Sequence, residues 1–154
     1  MNITDLLRKD FIIEELKSKT KKEVLFELSE AFARGGLNVD CDAMVEVLME
    51  REKLGSTGIG EGIAIPHGKL TGLENLIVSF GRTTEGIDFD SLDGKPVHIF
   101  FLLMAPENSA GQHLKALAKI SRMLKEEDFR KELMDVKTSD DIYDLIEVKD
   151  SAFI

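Results

Sequence analysis

The 154-residue chain is poor in the residues that mark several common kinds of site. It contains one cysteine, Cys41, so no disulfide can form within the chain, and a reducing compartment is favoured. Three histidines and one cysteine, with no closely spaced pair, give no zinc signature, and we expect no metal. The longest apolar run, Val97–Ala105, contains His98 and is far shorter than the roughly 20 residues of a membrane helix. We expect no direct membrane insertion and, because no signal peptide is visible, a cytoplasmic protein.

Basic residues are also in deficit. Twenty Lys and Arg stand against 29 Asp and Glu, which gives a formal net charge of -9. A nucleic acid partner needs a basic face, so this class of partner is disfavoured. The acidic excess permits a protein partner with a basic face, although most surface acid only promotes solubility. With 43% hydrophobic residues the chain can bury a core, and we expect one domain over residues 1–154.

Hydrophobic periodicity predicts the elements of the first half. Met1–Leu16 indicates a short helical turn followed by a strand. Thr20 and Glu23 form a capping-box pattern before a helix that ends at Gly35. Asp40 is the predicted N-cap of a second helix, which runs up to a stretch rich in glycine.

In the second half, strands are predicted over Leu76–Phe80 and Val97–Met104, with a loop at Gly86–Asp90 between them. The second strand is almost continuously apolar, as expected for a strand covered on both faces. Ser109 and Gln112 form another capping-box pattern before a helix. In that helix the side chains predicted to be buried are Leu114, Leu117, Ala118 and Leu124, and those predicted to be exposed are Lys115, Lys119 and Arg122.

The C-terminal part predicts two more helical segments, one that buries Phe129 and Leu133 and one that begins near Ser139. Helices and strands therefore interleave along the chain. This alternation predicts an α/β fold with helices on both faces of one sheet.

Gly55–Gly62 contains four glycines in eight residues and predicts a loop with exposed amides. It does not match the phosphate-binding loop of nucleotide-binding proteins, because five residues rather than four separate Gly62 from Gly68. Leu70 also stands where a serine or threonine would hold magnesium. A purely structural turn remains an alternative for this segment.

Ile63–Ile65 suits a short strand that Pro66 ends, so His67 is predicted to lie just past a strand end. A neutral imidazole is a nucleophile that can carry a covalent group, and its charge state changes near neutral pH. His67 is therefore the predicted centre of the chemistry. His98, within the apolar strand, is predicted to be a buried structural histidine.

Two further residues are candidates because of their place on helices. His113 lies in the first turn of its helix, where free amides and the helix dipole attract anions, although a histidine there is, on its own, more often a surface residue. Arg51, in the last turn before the glycine loop, can supply a guanidinium to phosphate oxygens. Its alternative is an i,i+4 surface ion pair.

One long stretch resembles a known active-site signature. Leu48–Lys69, LMEREKLGSTGIGEGIAIPHGK, is similar to the signature of the enzyme IIA domain of the bacterial phosphoenolpyruvate-dependent sugar phosphotransferase system, fructose/mannitol type. This branch includes nitrogen-related regulatory members. The similarity continues through Gly86–His98, Phe101–Pro106 and Gln112–Arg122, and so covers almost the whole chain.

The resemblance implies a central mixed β-sheet flanked by α-helices on both faces, and a phosphocarrier that needs no cofactor. His67 would accept a phosphoryl group on Nε2 from phospho-HPr and pass it to a cysteine of a IIB domain, in functional association with a membrane IIC permease. Sugar transport of the fructose type is favoured, and the alternative is a nitrogen-related regulator whose phosphorylation state signals to other proteins.

The resemblance also implies roles for the other site residues. His113 would support the phosphoryl group, and Arg51 would neutralise charge during transfer. Ser56, Thr57 and Gly58 would give further support from the site loop. Because donor and acceptor are both proteins, the His67 imidazole must reach the surface, and we expect it within a shallow apolar patch.

Overall fold

The computed structural model describes residues 1–153 as a mixed sheet with helices on both faces. Two short 3-10 turns, Ile3–Asp5 and Lys9–Phe11, precede the first strand. The strands are β1 (Ile12–Ile13), β2 (Gly58–Gly60), β3 (Ile63–Ala64), β4 (His67–Lys69), β5 (Ile77–Ile87) and β6 (Val97–Ala105). The helices are α1 (Lys21–Arg34), α2 (Cys41–Lys53), α3 (Ala110–Leu124), α4 (Glu127–Asp135) and α5 (Ser139–Ala152).

The six strands form one sheet with β6 at its centre. Its order is β1-β5-β6-β3-β2, and β4 also pairs with β6. The pairs β1–β5, β3–β6 and β4–β6 are parallel, whereas β5–β6 and β2–β3 are antiparallel. All but one of the residues of β6 are buried, as a near-continuous apolar run predicts. The predicted mixed α/β sheet is therefore confirmed.

Two polar side chains of β5 show that helices cover both faces. Successive residues of a strand point to opposite faces, so Ser79 and Arg82 lie on different sides of the sheet. The Ser79 hydroxyl donates to the Leu28 carbonyl of α1 at 2.9 Å. The Arg82 guanidinium donates to the Leu133 carbonyl of α4 at 2.6 Å. The helices α1 and α4 therefore lie on opposite faces.

The N-caps of the first two long helices agree with the sequence. Thr20 Oγ1 accepts from the Glu23 amide at 3.2 Å, and Glu23 Oε1 accepts from the Thr20 amide at 3.2 Å, which completes the predicted capping box. Asp40 Oδ1 accepts from the Ala43 amide at 3.0 Å. Arg51 lies in the last turn of α2, as predicted, and that helix ends at Lys53, just before Gly55.

The second capping box is wrong. Ser109 is the N-cap of α3, but its ψ of 33° is outside the extended region that N-caps adopt, and its hydroxyl donates back to the Pro106 carbonyl at 2.8 Å. The face assigned to α3 is right at Leu124, Lys115 and Arg122 but wrong at three other positions. Leu114 and Ala118 are exposed, whereas Lys119 is buried and pairs with Asp150 at 2.6 Å.

Two other expectations need correction. The strand predicted over Leu76–Phe80 runs from Ile77 to Ile87, because pairing with β6 continues to Ile87 opposite Val97 and takes in residues that local composition assigned to a loop. The glycine segment is not wholly a loop either, because Gly58–Gly60 forms β2 on β3. Within residues 1–153, no helix combines the length and apolar content needed to span a membrane.

Candidate functional site

The backbone around His67 follows β6 in two steps. Ile63–Ala64 pairs with β6 as β3, and His67–Lys69 pairs with it again as β4, with His67 opposite Leu103. Pro66 separates the two strands, because it has no amide for the ladder. The prediction that His67 lies beyond a strand end is right for β3, but the residue also opens β4, which the sequence did not predict.

The imidazole of His67 is partly buried and held by a neighbouring carbonyl. Its Nδ1 lies 2.8 Å from the Ile65 carbonyl oxygen. A carbonyl only accepts, so Nδ1 carries the proton of the neutral ring, and Nε2 keeps its lone pair. Burial lowers the pKa of His67, and the positive charge of Arg51 adds to this effect, while the hydrogen bond to Ile65 and the charge of Glu52 oppose it. The ring therefore stays neutral to lower pH than a free imidazole.

His113 lies beside His67. The two ring centroids are 5.5 Å apart, and the rings are nearly perpendicular at 76°. His113 is 7% exposed, and its Nε2 has no hydrogen-bond partner among the described residues. Burial lowers the pKa of His113, with smaller contributions from the charges of His67 and Lys69. The first turn of α3 therefore places His113 beside the imidazole of His67.

Arg51 contributes its guanidinium from the end of α2. Its Nη1 donates to the Gly55 carbonyl at 2.8 Å, so the side chain turns back over the start of the glycine segment. The surface ion pair considered from the sequence is not among the ion pairs that the described residues form. The positive charge of Arg51 contributes to the lowered pKa of His67.

The loop residues Ser56, Thr57 and Gly58 are engaged within the fold. The Ser56 hydroxyl donates to the Phe89 carbonyl at 2.7 Å and accepts from the Gly58 amide at 3.0 Å. The Thr57 hydroxyl donates to the Glu52 carboxylate, which also accepts from the Thr57 amide. The amides of Thr57 and Gly58 are thus hydrogen-bonded internally, so the expected loop with exposed amides is wrong at these positions.

His98 differs from the expectation in its burial. It is only partly buried, and its Nδ1 lies 2.9 Å from the Thr83 carbonyl. It belongs to the opposite end of β6 from Leu103, the residue paired with His67. His98 therefore lies apart from the His67 site and has a structural hydrogen bond of its own.

One charged residue beside the site was missed by sequence reasoning. Glu52 is 8% exposed and pairs with Lys21 Nζ at 3.1 Å. Its neighbours Glu50 and Lys53 form an ordinary surface pair, so composition gave no reason to single it out. The available signal was its place directly after Arg51 and five residues before Thr57.

Comparison with known proteins identifies the family of the chain. Residues 5–149 match the family model described as "Phosphoenolpyruvate-dependent sugar phosphotransferase system, EIIA 2". The chain therefore belongs to this enzyme IIA family, and the resemblance inferred from Leu48–Lys69 is confirmed. As a member of this family, the chain is a phosphotransferase component.

Relatives with two different names match most of the chain. A nitrogen regulatory protein from Bradyrhizobium diazoefficiens is 46% identical over 147 residues, which are 95% of this chain and 95% of that protein. A PTS system fructose-specific EIIABC component from Bacillus subtilis is 41% identical over 150 residues, which are 97% of this chain but only 24% of that protein. The solved structure of the nitrogen regulatory protein IIA-Ntr from Neisseria meningitidis superposes with a TM-score of 0.87 at 35% identity and covers 94% of this chain and 98% of its own.

Proposed function

We propose that this chain is a phosphocarrier that accepts a phosphoryl group from phospho-HPr on His67 and transfers it to a cysteine of a sugar-specific IIB domain, with the fructose type favoured. In the first step the bond from phosphorus to the donor imidazole breaks as the bond to His67 Nε2 forms. In the second step the bond to Nε2 breaks as a phosphorus–sulfur bond forms on the acceptor. Sugar would then be phosphorylated during uptake through an associated membrane IIC permease.

The proposal rests on the tautomer and the protonation state of the His67 ring. With Nδ1 donating to the Ile65 carbonyl, the free lone pair belongs to Nε2, and the lowered pKa keeps it unprotonated near neutral pH. His113 supports the same reading, because its buried Nε2 is unsatisfied beside the reacting ring and buried polar atoms usually have partners. An oxygen of the transferred group is a partner of suitable chemistry for His113.

The charge that develops in phosphoryl transfer spreads over three equatorial oxygens, and catalysis consists mostly of positioning and electrostatic stabilisation. The Arg51 guanidinium offers planar donors to such oxygens. The free amides at the start of α3, which carries His113, add positive potential of the same sign. Ser56, Thr57 and Gly58 support the site by holding the loop, because both hydroxyls are already engaged with other residues.

Both partners are proteins, so the surface around the site has to accept them. Exposed apolar side chains lie on the segments that form it: Leu54 follows α2, Ile59 belongs to β2, and Leu114 follows His113 in α3. Leu92 is also exposed, and its amide donates to the Gly58 carbonyl at 2.9 Å. We propose that these side chains form the apolar docking patch for HPr and the IIB domain.

A regulator is the second candidate function. The observation that favours it is the 46% identity to a protein named as a nitrogen regulatory protein, 95% of whose length is matched. In this function the phosphohistidine of His67 would form in the same way, but it would control the binding of other proteins rather than supply a sugar transporter.

The test is transfer from radiolabelled phospho-HPr to the purified chain. Wild type is expected to accept label that is stable at alkaline pH, and His67→Ala is expected to accept none. His98→Ala is the matched control, because His98 also holds a carbonyl through Nδ1 but lies away from the site. Label on His67→Ala, or loss of label only in His98→Ala, would contradict the proposal.

A second step separates transport from regulation. Labelled wild type is mixed with a fructose-type IIB domain and, in parallel, with the same domain lacking its active cysteine. Label that moves only to the intact IIB domain supports transport. Label that stays on the chain with every sugar-specific IIB domain supports the regulator.

A further inference from the structure

Glu52 is a buried carboxylate in the last turn of α2, beside the site but with no role assigned so far. It is 8% exposed, and a buried carboxylate is costly unless it is paired and hydrogen-bonded. Both conditions are met. Lys21 Nζ lies 3.1 Å from one oxygen, and the Thr57 amide lies 3.2 Å and 3.3 Å from the two oxygens. The Thr57 hydroxyl donates to Glu52 as well.

From Glu52 a chain of hydrogen bonds leads to the reacting imidazole. The Thr57 carbonyl accepts from the Ile65 amide at 3.1 Å. The Ile65 carbonyl in turn accepts from His67 Nδ1 at 2.8 Å. Glu52, Thr57 and Ile65 thus connect the end of α2 to the side chain on β4. Ile65, whose carbonyl orients His67, is itself held through its amide by Thr57, the residue that Glu52 holds.

Lys21 holds the Glu52 end of this series of hydrogen bonds. Its ammonium also lies 3.3 Å from Asp90 and 4.7 Å from the centre of the Phe89 ring. The Phe89 carbonyl accepts from Ser56, next to Thr57 in the loop. The first turn of α1, the end of α2 and the glycine segment are therefore joined at Glu52, and its position is determined from several sides.

We infer that Glu52 and Thr57 are positioning residues that hold the Ile65 carbonyl in line with His67 Nδ1, and so keep the Nε2 lone pair directed at the incoming phosphorus. This inference rests on the proposed function for its rate effect but not for its effect on the ring. A carbonyl displaced by a fraction of an ångström weakens the bond to Nδ1, and the other tautomer, with its proton on Nε2, cannot attack. Misplacement by about 1 Å is enough to slow an enzyme by about 100-fold.

The experiment changes the two side chains and measures both the ring and the transfer. The variants are Glu52→Gln and Thr57→Val, which remove the charge and the hydroxyl at little change in volume. Thr57→Ser restores the hydroxyl and is the rescue variant. Glu50→Gln is the matched control, because Glu50 lies on the same helix in an exposed pair with Lys53 at 2.7 Å.

The first readout is the ¹⁵N NMR spectrum of the His67 ring, which reports the tautomer without any partner protein. Glu52→Gln and Thr57→Val are expected to lower the fraction with the proton on Nδ1, and Thr57→Ser and Glu50→Gln are expected to keep the wild-type fraction. The second readout is the initial rate of labelling by phospho-HPr, expected to fall about 10- to 100-fold in the first two variants only.

The outcomes separate positioning from a merely structural role. A lower labelling rate with an unchanged tautomer in folded Glu52→Gln and Thr57→Val would overturn the inference, and so would an unchanged rate with an unchanged tautomer. If Glu52→Gln does not fold, Thr57→Val decides, since it keeps the ion pair with Lys21. If wild type accepts no label, the proposed function fails, while a tautomer shift in both variants would still support the positioning of His67.

Discussion

The close approach of α2 to β4 at Gly68 gives a sharp test of the site's architecture. A β-carbon on Gly68 would stand 2.7 Å from Val47 Cγ1, with Met104 Cε at 3.7 Å and Leu48 Cδ2 at 3.8 Å. Gly68 does not have a positive φ, so alanine fits its backbone and only the contact with α2 opposes it. Glycine at this position lets the helix that carries Arg51 lie close to the strand that carries His67.

The size of the effect follows from the contact. Carbon atoms are best separated by about 3.5–4.0 Å, so α2 has to withdraw by about 1 Å or Val47 has to move. Extra methyl groups in a packed region usually cost about 1–3 kcal/mol, and we expect Gly68→Ala to lower the free energy of unfolding by this amount. Because the same movement takes Arg51 away from His67, we also expect a slower labelling rate.

A double-mutant cycle with Val47→Ala isolates the contact. Val47→Ala alone removes partly buried methyl groups and is expected to cost about 1 kcal/mol. In the double variant the clash is gone, so the loss is expected to be smaller than the sum of the single losses by about 1 kcal/mol or more. The free energies come from urea unfolding followed by circular dichroism, and the rates from labelling.

The control is Gly111→Ala in α3, where an added β-carbon meets nothing within 4 Å. Alanine in place of a helical glycine is expected to stabilise the protein slightly, by about 0.5–1 kcal/mol. If the loss of unfolding free energy in the double variant equals the sum of the losses in Gly68→Ala and Val47→Ala to within about 0.5 kcal/mol, the reasoning is refuted, because additivity is the behaviour of sites that do not interact.

Three other predictions concern the charged groups. Arg51→Lys is expected to slow labelling with little change in stability, because an ammonium lacks the planar, paired donors of a guanidinium. A wild-type rate would mean that Arg51 has no part in the transfer. Arg82→Met is expected to lower the free energy of unfolding by about 3 kcal/mol or more, because several backbone carbonyls lose their hydrogen-bond donor. The control is Arg122→Met, at an exposed position, which is expected to leave the free energy of unfolding unchanged. The pKa values of His67 and His113 are lowered by burial, so protonation favours the unfolded chain. As the pH falls from about 7.5 to 5.5, the free energy of unfolding measured in urea is therefore expected to decrease more for wild type than for the double variant His67→Asn, His113→Asn. Equal decreases in the two proteins would contradict this prediction.

The sequence predicted elements whose signals are local. The capping box of Thr20 and Glu23 and the N-cap of Asp40 need only residues within one turn, and both are present. The pattern of Ser109 and Gln112 looks the same in sequence but fails, because the Ser109 hydroxyl is turned toward the Pro106 carbonyl, to which it donates, and accepts from no amide of α3. A capping pattern therefore predicts a helix start better than it predicts the hydrogen bonds there.

The wrong predictions concern features that depend on residues far apart in the sequence. The sequence predicts Lys119 to be exposed, but Asp150 of α5 provides a buried partner at 2.6 Å. β5 continues to Ile87 because Val97 pairs with it across the sheet. Each of these outcomes depends on a residue at least ten positions away, which helical and strand periodicity do not take into account.

The site shows the same division. The resemblance of Leu48–Lys69 led to His67 and Arg51, and its continuation through Gln112–Arg122 led to His113. The fold brings the two imidazoles to 5.5 Å. It did not reveal Glu52, because an acidic residue in the last turn of a helix is ordinary on a surface. Its burial arises only when Lys21 and Thr57 close over it.

The site is therefore assembled from parts that are held in different ways. His67 is fixed by the ladder of β4 on β6, whereas Arg51 and His113 come from α2 and α3, whose positions depend on side-chain contacts with the sheet. Ladder hydrogen bonds tolerate most substitutions, but helix docking is sensitive to single methyl groups. It follows that changes at contacts such as Gly68 with Val47 should alter transfer before they unfold the chain.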